Sequence, residues 1–379
     1  MRVRHIFFLF ALGLILSAAT AWSQSDYSFI TIDYPGSFNS GVFGINKAGQ
    51  LSGTYFGNDG VAHAFICDKG KFTRLDYPDA ARTFGFGISE AAWMAGYYID
   101  TDNHIHGFFY DTKKFTALDY PKATATRGYA VNQPGQIVGS YADENNLTHG
   151  FLYQSGKFTT VDFPGSTRTE VSGINDAGVM VGNYTDGKNK THGFQGKPGA
   201  LTSYDFPGAN RTALYGITES GVVAGSFSDE HKNHGFIKEG NVRLHYPGSH
   251  STFGFAIDES LQVVGQYVDD DSVTHGFLAA KGKAQGPQIS QRLDPDNFQS
   301  GQGAFKLTVR GIGFVPGSTL LWNGTPRKTS FQDSSHLIAN IDEADVAQPN
   351  VASLMVVNPG PSGASSNPVD FVVHKGPTP

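Results

Sequence analysis

One short motif returns at a fixed interval and narrows the folds open to this chain. Asp-aromatic-Pro stands at Asp33-Tyr34-Pro35, Asp76-Tyr77-Pro78, Asp119-Tyr120-Pro121, Asp162-Phe163-Pro164 and Asp205-Phe206-Pro207. A sixth copy, His245-Tyr246-Pro247, has lost the Asp. The steps are 43 residues four times and then 40. Such a period marks a repeat architecture, in which each unit buries its apolar face against the next.

Each period holds further landmarks. Gly44-Ile45-Asn46-Lys47-Ala48-Gly49 and Gly173-Ile174-Asn175-Asp176-Ala177-Gly178 read as hairpin turns, because Asn bonds its own backbone and Gly takes positive φ. Ala92 and Leu261 replace the last Gly in two copies, which predicts looser turns or another type there. A strand with a Gly-x-aromatic core follows, as in Val181-Gly182-Asn183-Tyr184. A regular Gly inside a strand predicts a bulge or the close approach of another backbone. A polar loop opening at Asp100, Asp143, Asp186, Asp229 or Asp269 leads into His-Gly-Phe, or into His63-Ala64-Phe65 in the first copy.

Four short strands per unit of this length predict a propeller blade. The expected fold is all-β: a six-bladed β-propeller over 24–284, then an immunoglobulin-like β-sandwich over 285–373 and a tail over 374–379. The first strand, Phe29 to Tyr34, and the last, His275 to Ala279, are the two hairpin partners of every internal unit. Pairing them would close the ring and remove two open edges. An open β-solenoid is the alternative, but it wants atypical capping units.

The flanks bear on address. Arg2 and Arg4 precede an apolar run from Ile6 to Leu16 and small residues at Ser17, Ala18 and Ala19. That pattern reads as a secretory signal peptide over 1–23, cut after Ala21 or Ser23. The run is short of the roughly 20 residues a membrane span needs. The expected location is therefore secreted, periplasmic or cell-surface, with no transmembrane segment after cleavage. The lone Cys67 leaves no internal disulfide, so stability must come from packing, and Cys67 reads as core. A net charge of −6 argues against nucleic acid as a partner.

The run Ile45-Asn46-x-x-Gly49-Gln50-Leu51-x-Gly53 with His63-Ala64-Phe65 resembles the HAF-type extracellular repeat family of bacteria over about residues 27–282. The resemblance implies export and a β-rich repeat fold, and it brings no activity. Residues 288–373 carry Val309-Arg310-Gly311-Ile312-Gly313-Phe314, Leu321-Trp322-Asn323-Gly324 and Val357-Asn358-Pro359-Gly360. These resemble the IPT/TIG family, which implies an immunoglobulin-like spacer or contact domain.

Chemistry is harder to find. His63, His106, His149, His192, His234 and His275 recur once per unit, so a ring would hold them apart rather than around one ion. They read as structural, each bonding a neighbouring blade's backbone. Asp33, Asp76, Asp119, Asp162 and Asp205 read as organisers of their own turns. Asp269, Asp270 and Asp271 are the candidate calcium ligands, since Ca²⁺ wants six to eight oxygens; no other cofactor is expected. Trp93, His104, His231, His245 and His250 depart from the repeat without forming a recognisable constellation. Tyr97, Tyr98 and Trp93 could leave a ring outside for a sugar face, though core packing is the commoner fate.

The reading is a monomeric, non-catalytic binding or interaction protein for an extracellular polysaccharide or a surface protein. A carbohydrate-active hydrolase or lyase is the alternative, marked by clustered, unsatisfied carboxylates at the mouth of the ring. A structural envelope protein is the third.

Overall fold

In the computed structural model the described residues are 27–230, 232–281, 286–359 and 365–375. The expected signal peptide, the 282–285 junction, His231, most of the Pro359–Gly363 turn and the end of the tail lie outside them.

Each repeat forms a four-stranded antiparallel sheet. The first runs through Asn39–Ile45, Leu51–Phe56, Ala62–Asp68 and Lys71–Leu75 in simple up-and-down order. Successive sheets pack in sequence, and the first packs back on the sixth, so six blades close a ring. The sixth blade holds Ser251–Ile257, Val263–Val268 and Thr274–Lys281. Its fourth strand is Tyr27–Thr31 from the other end of the chain, paired antiparallel from Tyr27 opposite Lys281 to Thr31 opposite Phe277. This is the closure that the order of the motifs predicts.

The recurrent Gly of the second strand answers to both predicted causes. Every first strand carries a register shift opposite it, for example between Val171 and Gly173. The shift brings a backbone carbonyl onto the glycine. A Cβ at Gly182 would lie 2.1 Å from the Glu170 carbonyl oxygen, and one at Gly139 1.9 Å from that of Arg127. The core of each blade is then set by the Phe of His-Gly-Phe. Phe108, Phe151, Phe194, Phe236 and Phe277 are fully buried, as is Phe65 in the first unit. Cys67 is buried in the core of the first blade.

Turn types do not change where Gly is missing. Ala92 and Leu261 take φ of 58° and 60°, and their N–H groups make the same turn bond as Gly49. The expectation of looser turns is corrected: neighbouring blades fix the turn, and the L-residue accepts the left-handed conformation.

The rest of the chain makes two sheets. One pairs Gln288–Asp294, Phe305–Ile312, His336–Ile341 and Thr329–Asp333; the other includes Thr319–Trp322, Asn350–Val357 and Val369–His374. Leu307, Val309, Leu337, Trp322, Leu354 and Phe371 from the two sheets share one core. This module touches the propeller at the closing blade. Val315 is buried with Tyr246 and Tyr267, and the Phe331 ring meets His275 edge-on at 5.9 Å.

Two substitutions test the local geometry. Gly182→Ala should destabilise the protein by about 2–4 kcal/mol, because the obstructing atom is backbone. Ala92→Gly should stabilise it by roughly 0.5–1 kcal/mol, because an L-residue at positive φ is strained. Urea unfolding of both variants measures this; a neutral Gly182→Ala would refute the close-approach account.

Candidate functional site

Strand direction sorts the loops onto two ends of the ring. The Asp-led loops and the Asp-aromatic-Pro turns share one end. The Asn-x-x-Gly turns occupy the other.

At the first end each blade builds the same polar stack. The aromatic of Asp-aromatic-Pro lies flat on the aromatic of Gly-x-aromatic, at 3.7 Å for Tyr77 on Tyr98, 3.6 Å for Tyr120 on Tyr141 and 3.8 Å for Phe163 on Tyr184. The His ring stacks on the second aromatic at about 5 Å, as His192 does on Tyr184. Its Nδ1 then reaches the repeated Asp. His63 meets Asp76 at 3.0 Å, His106 meets Asp119 at 3.0 Å and His149 meets Asp162 at 2.7 Å. His192 meets Asp205 at 2.9 Å, and His275 meets Asp33 at 2.7 Å across the closure. On the other side Nε2 faces the Asp that opens the loop. His106 faces Asp100 at 3.3 Å, His192 faces Asp186 at 3.4 Å, His234 faces Asp229 at 3.0 Å and His275 faces Asp269 at 3.2 Å.

Two expectations change. The histidines are structural partners, but of carboxylates in their own blade rather than of a neighbour's backbone. The repeated Asp does not organise its turn. That role falls to a hydroxyl six residues past the aromatic: Ser40, Thr83, Thr126, Thr169, Thr212 and Thr252 accept the N–H of Tyr34, Tyr77, Tyr120, Phe163, Phe206 and Tyr246. The constant offset was the available signal.

Where His245 replaces Asp, the pattern fails. The His234 and His245 rings lie 5.1 Å apart, and the Nδ1 of each is buried without a hydrogen-bond partner. Burial holds the His245 imidazole down at about 4, helped by the neighbouring His234. His275 moves the other way: burial lowers it, but Asp33 and Asp269 outweigh burial and raise it.

The calcium trio is divided. Asp269 accepts N–H groups of Asp271 and Val273 on Oδ1 and faces His275 with Oδ2. Asp270 is exposed and meets His250 at 3.3 Å. The three carboxylates present no joint cage. The aromatics are partly buried and packed on other rings: Tyr97 stacks on Phe84 at 4.5 Å, and Trp93 meets Phe109 edge-on at 5.6 Å. His104, which the sequence leaves outside any constellation, joins Asp100 and His106.

At the other end a shallow pocket, open to solvent, lies on the ring axis and is lined by turns of all six blades. Glu90, Asp176, Glu219, Asp258 and Glu259 converge there with Lys47. Each carboxylate has an assigned partner. Lys47 N–H donates to Glu90 at 3.1 Å, Gln133 N–H to Asp176 at 2.9 Å, and Asp176 N–H to Glu219 at 2.8 Å. The N–H and hydroxyl of Ser220 donate to Glu259 at 3.1 and 2.9 Å. Asp258 caps its own turn through Ser260 and Gln262. Asn46, Asn132 and Asn175 add side-chain bonds to the carbonyl of the same turn one blade on. Above the pocket, Phe43, Phe86, Tyr129, Tyr215 and Phe255 meet ring to ring at 4.8–5.3 Å. Ser172 takes the sixth place in that collar.

No family model matches the chain, and no curated protein sequence is similar to it. Solved structures similar in arrangement include a fucose-binding lectin of Aleuria aurantia described as a six-bladed β-propeller. It is 12% identical with a TM-score of 0.43, over 64% of this chain and 93% of that one. The β-propeller domain of the trilobed protease of Pyrococcus furiosus has 12% identity and a TM-score of 0.43, over 64% and 79%. A fungal alcohol oxidase bound to copper has 12% identity and a TM-score of 0.38, over 92% and 98%. These likenesses concern arrangement alone.

His245→Asp should give His234 the acceptor it lacks and stabilise the protein by about 1–2 kcal/mol, the scale of one unsatisfied buried group. The pH dependence fixes the sign. A His held low in the fold contributes stability that is complete above the unfolded value near 6.5 and is lost as pH falls towards 4. The variant loses that cost, and its new pair, like that of His275, favours the fold at acid pH. Denaturation at pH 8 and pH 5 should show a gap that widens at pH 5; equal stability at both would refute the account.

Proposed function

We propose that this is a non-catalytic binding protein, secreted or held at the cell surface, whose propeller takes an extracellular polysaccharide or a surface protein. In this reading the C-terminal module is an immunoglobulin-like spacer or second contact domain. The export-type N-terminus and the HAF-type repeat support the address.

One observation carries the reading against a hydrolase or lyase. Glycosidic cleavage needs a proton donor and a base or nucleophile free to act on the substrate, two carboxyl groups roughly 5–10 Å apart. The carboxylates on the ring axis are clustered, but Glu90, Asp176, Glu219 and Glu259 latch one blade to the next through backbone N–H groups, and Asp258 caps its own turn. Moving their protons would loosen the ring. The variable side chains stand at the other end, on loops held by a rigid scaffold, where binding residues are usually found.

A glycan array and surface pull-down of the mature chain, with Glu219→Gln and Glu259→Gln beside it, tests this. Both variants should keep binding and lower Tm by about 2–4 °C, the effect of roughly 1 kcal/mol in a domain of this size. Cleavage of any polysaccharide that disappears in these variants would overturn the proposal in favour of the enzyme.

A further inference from the structure

We propose that the loop of the second blade is a binding site for one divalent transition-metal ion, formed by Asp100, His104 and His106. The ligand atoms of these three residues all lie within 4.8 Å of one another, and no other such group occurs among the described residues.

Hydrogen-bond roles point to a cation. Asp119 can only accept from the Nδ1 of His106, so that nitrogen carries the proton. In that tautomer Nε2 turns its lone pair towards Asp100. The Asp100 Oδ1 is occupied by the N–H groups of Asp102 and His104, at 2.9 and 2.8 Å. Its Oδ2 is left facing His106 Nε2 at 3.3 Å and His104 Nδ1 at 3.2 Å. Three groups that can act as acceptors thus converge on one point. In blades four and six only two converge, and a single proton between them is enough. Here a third is added.

The spacing suits a first-row metal. Zinc bonds to His and carboxylate ligands are about 2.0–2.1 Å, which puts neighbouring ligands of a tetrahedron about 3.3 Å apart. Two of the three edges already have that length. The third closes by rotation of His104, whose side chain is 66% exposed. Asp119 on His106 is also the outer carboxylate that metal-bound histidines usually keep. Three protein ligands leave at least one coordination position open to water or to an oxygen of a bound partner.

The addition is specific to this blade. The place two residues before the repeated His holds Val61, Leu147, Lys190, Lys232 and Val273 elsewhere. His104→Val therefore copies blades one and six and leaves the His106–Asp119 pair intact.

Titration calorimetry of the tag-free mature chain with zinc chloride at pH 7.5 should give one ion per chain. Cobalt(II) should give visible absorption bands at the same stoichiometry. His104→Val, with an unchanged melting temperature, should bind at least ten-fold more weakly and lose the cobalt bands. An absence of zinc binding by the parent chain would overturn the proposal. Binding of equal affinity and stoichiometry in His104→Val would overturn it too.

Discussion

A four-stranded blade cannot bury both faces by itself, so everything in the propeller depends on the ring being shut. The closing contact is the pairing of Tyr27–Thr31 with Thr274–Lys281. It does more than cover an edge. The hydroxyl of Thr31 meets the hydroxyls of Tyr246 and Tyr267 at 2.7 and 3.0 Å, and Asp33, just beyond the strand, completes the stack of His275. That pair is among the most buried of its kind, with side-chain exposures of 9% and 7%. The C-terminal module presses Phe331 and Val315 onto the same blade. The seam, which local sequence joins least, bonds residues 215 to 242 positions apart in the chain.

The period, the strands and the closure were legible because they rest on spacing alone. The bonding inside a blade was not. Asp162 follows the turn-forming habit of Asp before Pro, and local rules assign it to its own turn. Its actual partner, His149, is 13 residues away on the adjacent strand. The hydroxyl that does hold the turn, Thr169, is an unremarkable residue until its offset is compared across six copies. Ala92 and Leu261 mislead for a related reason: substitution tables describe an isolated turn, whereas here neighbouring blades impose the conformation. The axial latch is still less visible, since Glu90, Asp176, Glu219 and Glu259 are single letters in separate turns, linked only by the ring.

Both ends of the ring carry carboxylates, but they are employed differently. On the axis, Glu90, Asp176, Glu219 and Glu259 each accept from the backbone of the preceding blade, so these four are inter-blade bonds, while Asp258 caps its own turn. At the loop end, donor and acceptor belong to one blade, at the closure too, where Tyr27–Thr31 is that blade's fourth strand, and the bond fixes a hairpin. This division explains why His245 is tolerated. Losing the Asp there costs one blade an internal bond and leaves the latch on the axis untouched.

The same division tells where the chain is free to vary. In the loop before each His, the residue two places ahead gives its backbone N–H to an Asp: Val61 to Asp59, His104 to Asp100, Leu147 to Asp143, Lys190 to Asp186, Lys232 to Asp229 and Val273 to Asp269. The main chain supplies the structural bond, so the side chain is released from it. Apolar, imidazole and ammonium groups accordingly share one position on a common scaffold, and Leu147 stands 51% exposed there. A ring whose constant residues are consumed by holding it together can still differ from blade to blade at such points. They are where recognition can be built without cost to the fold.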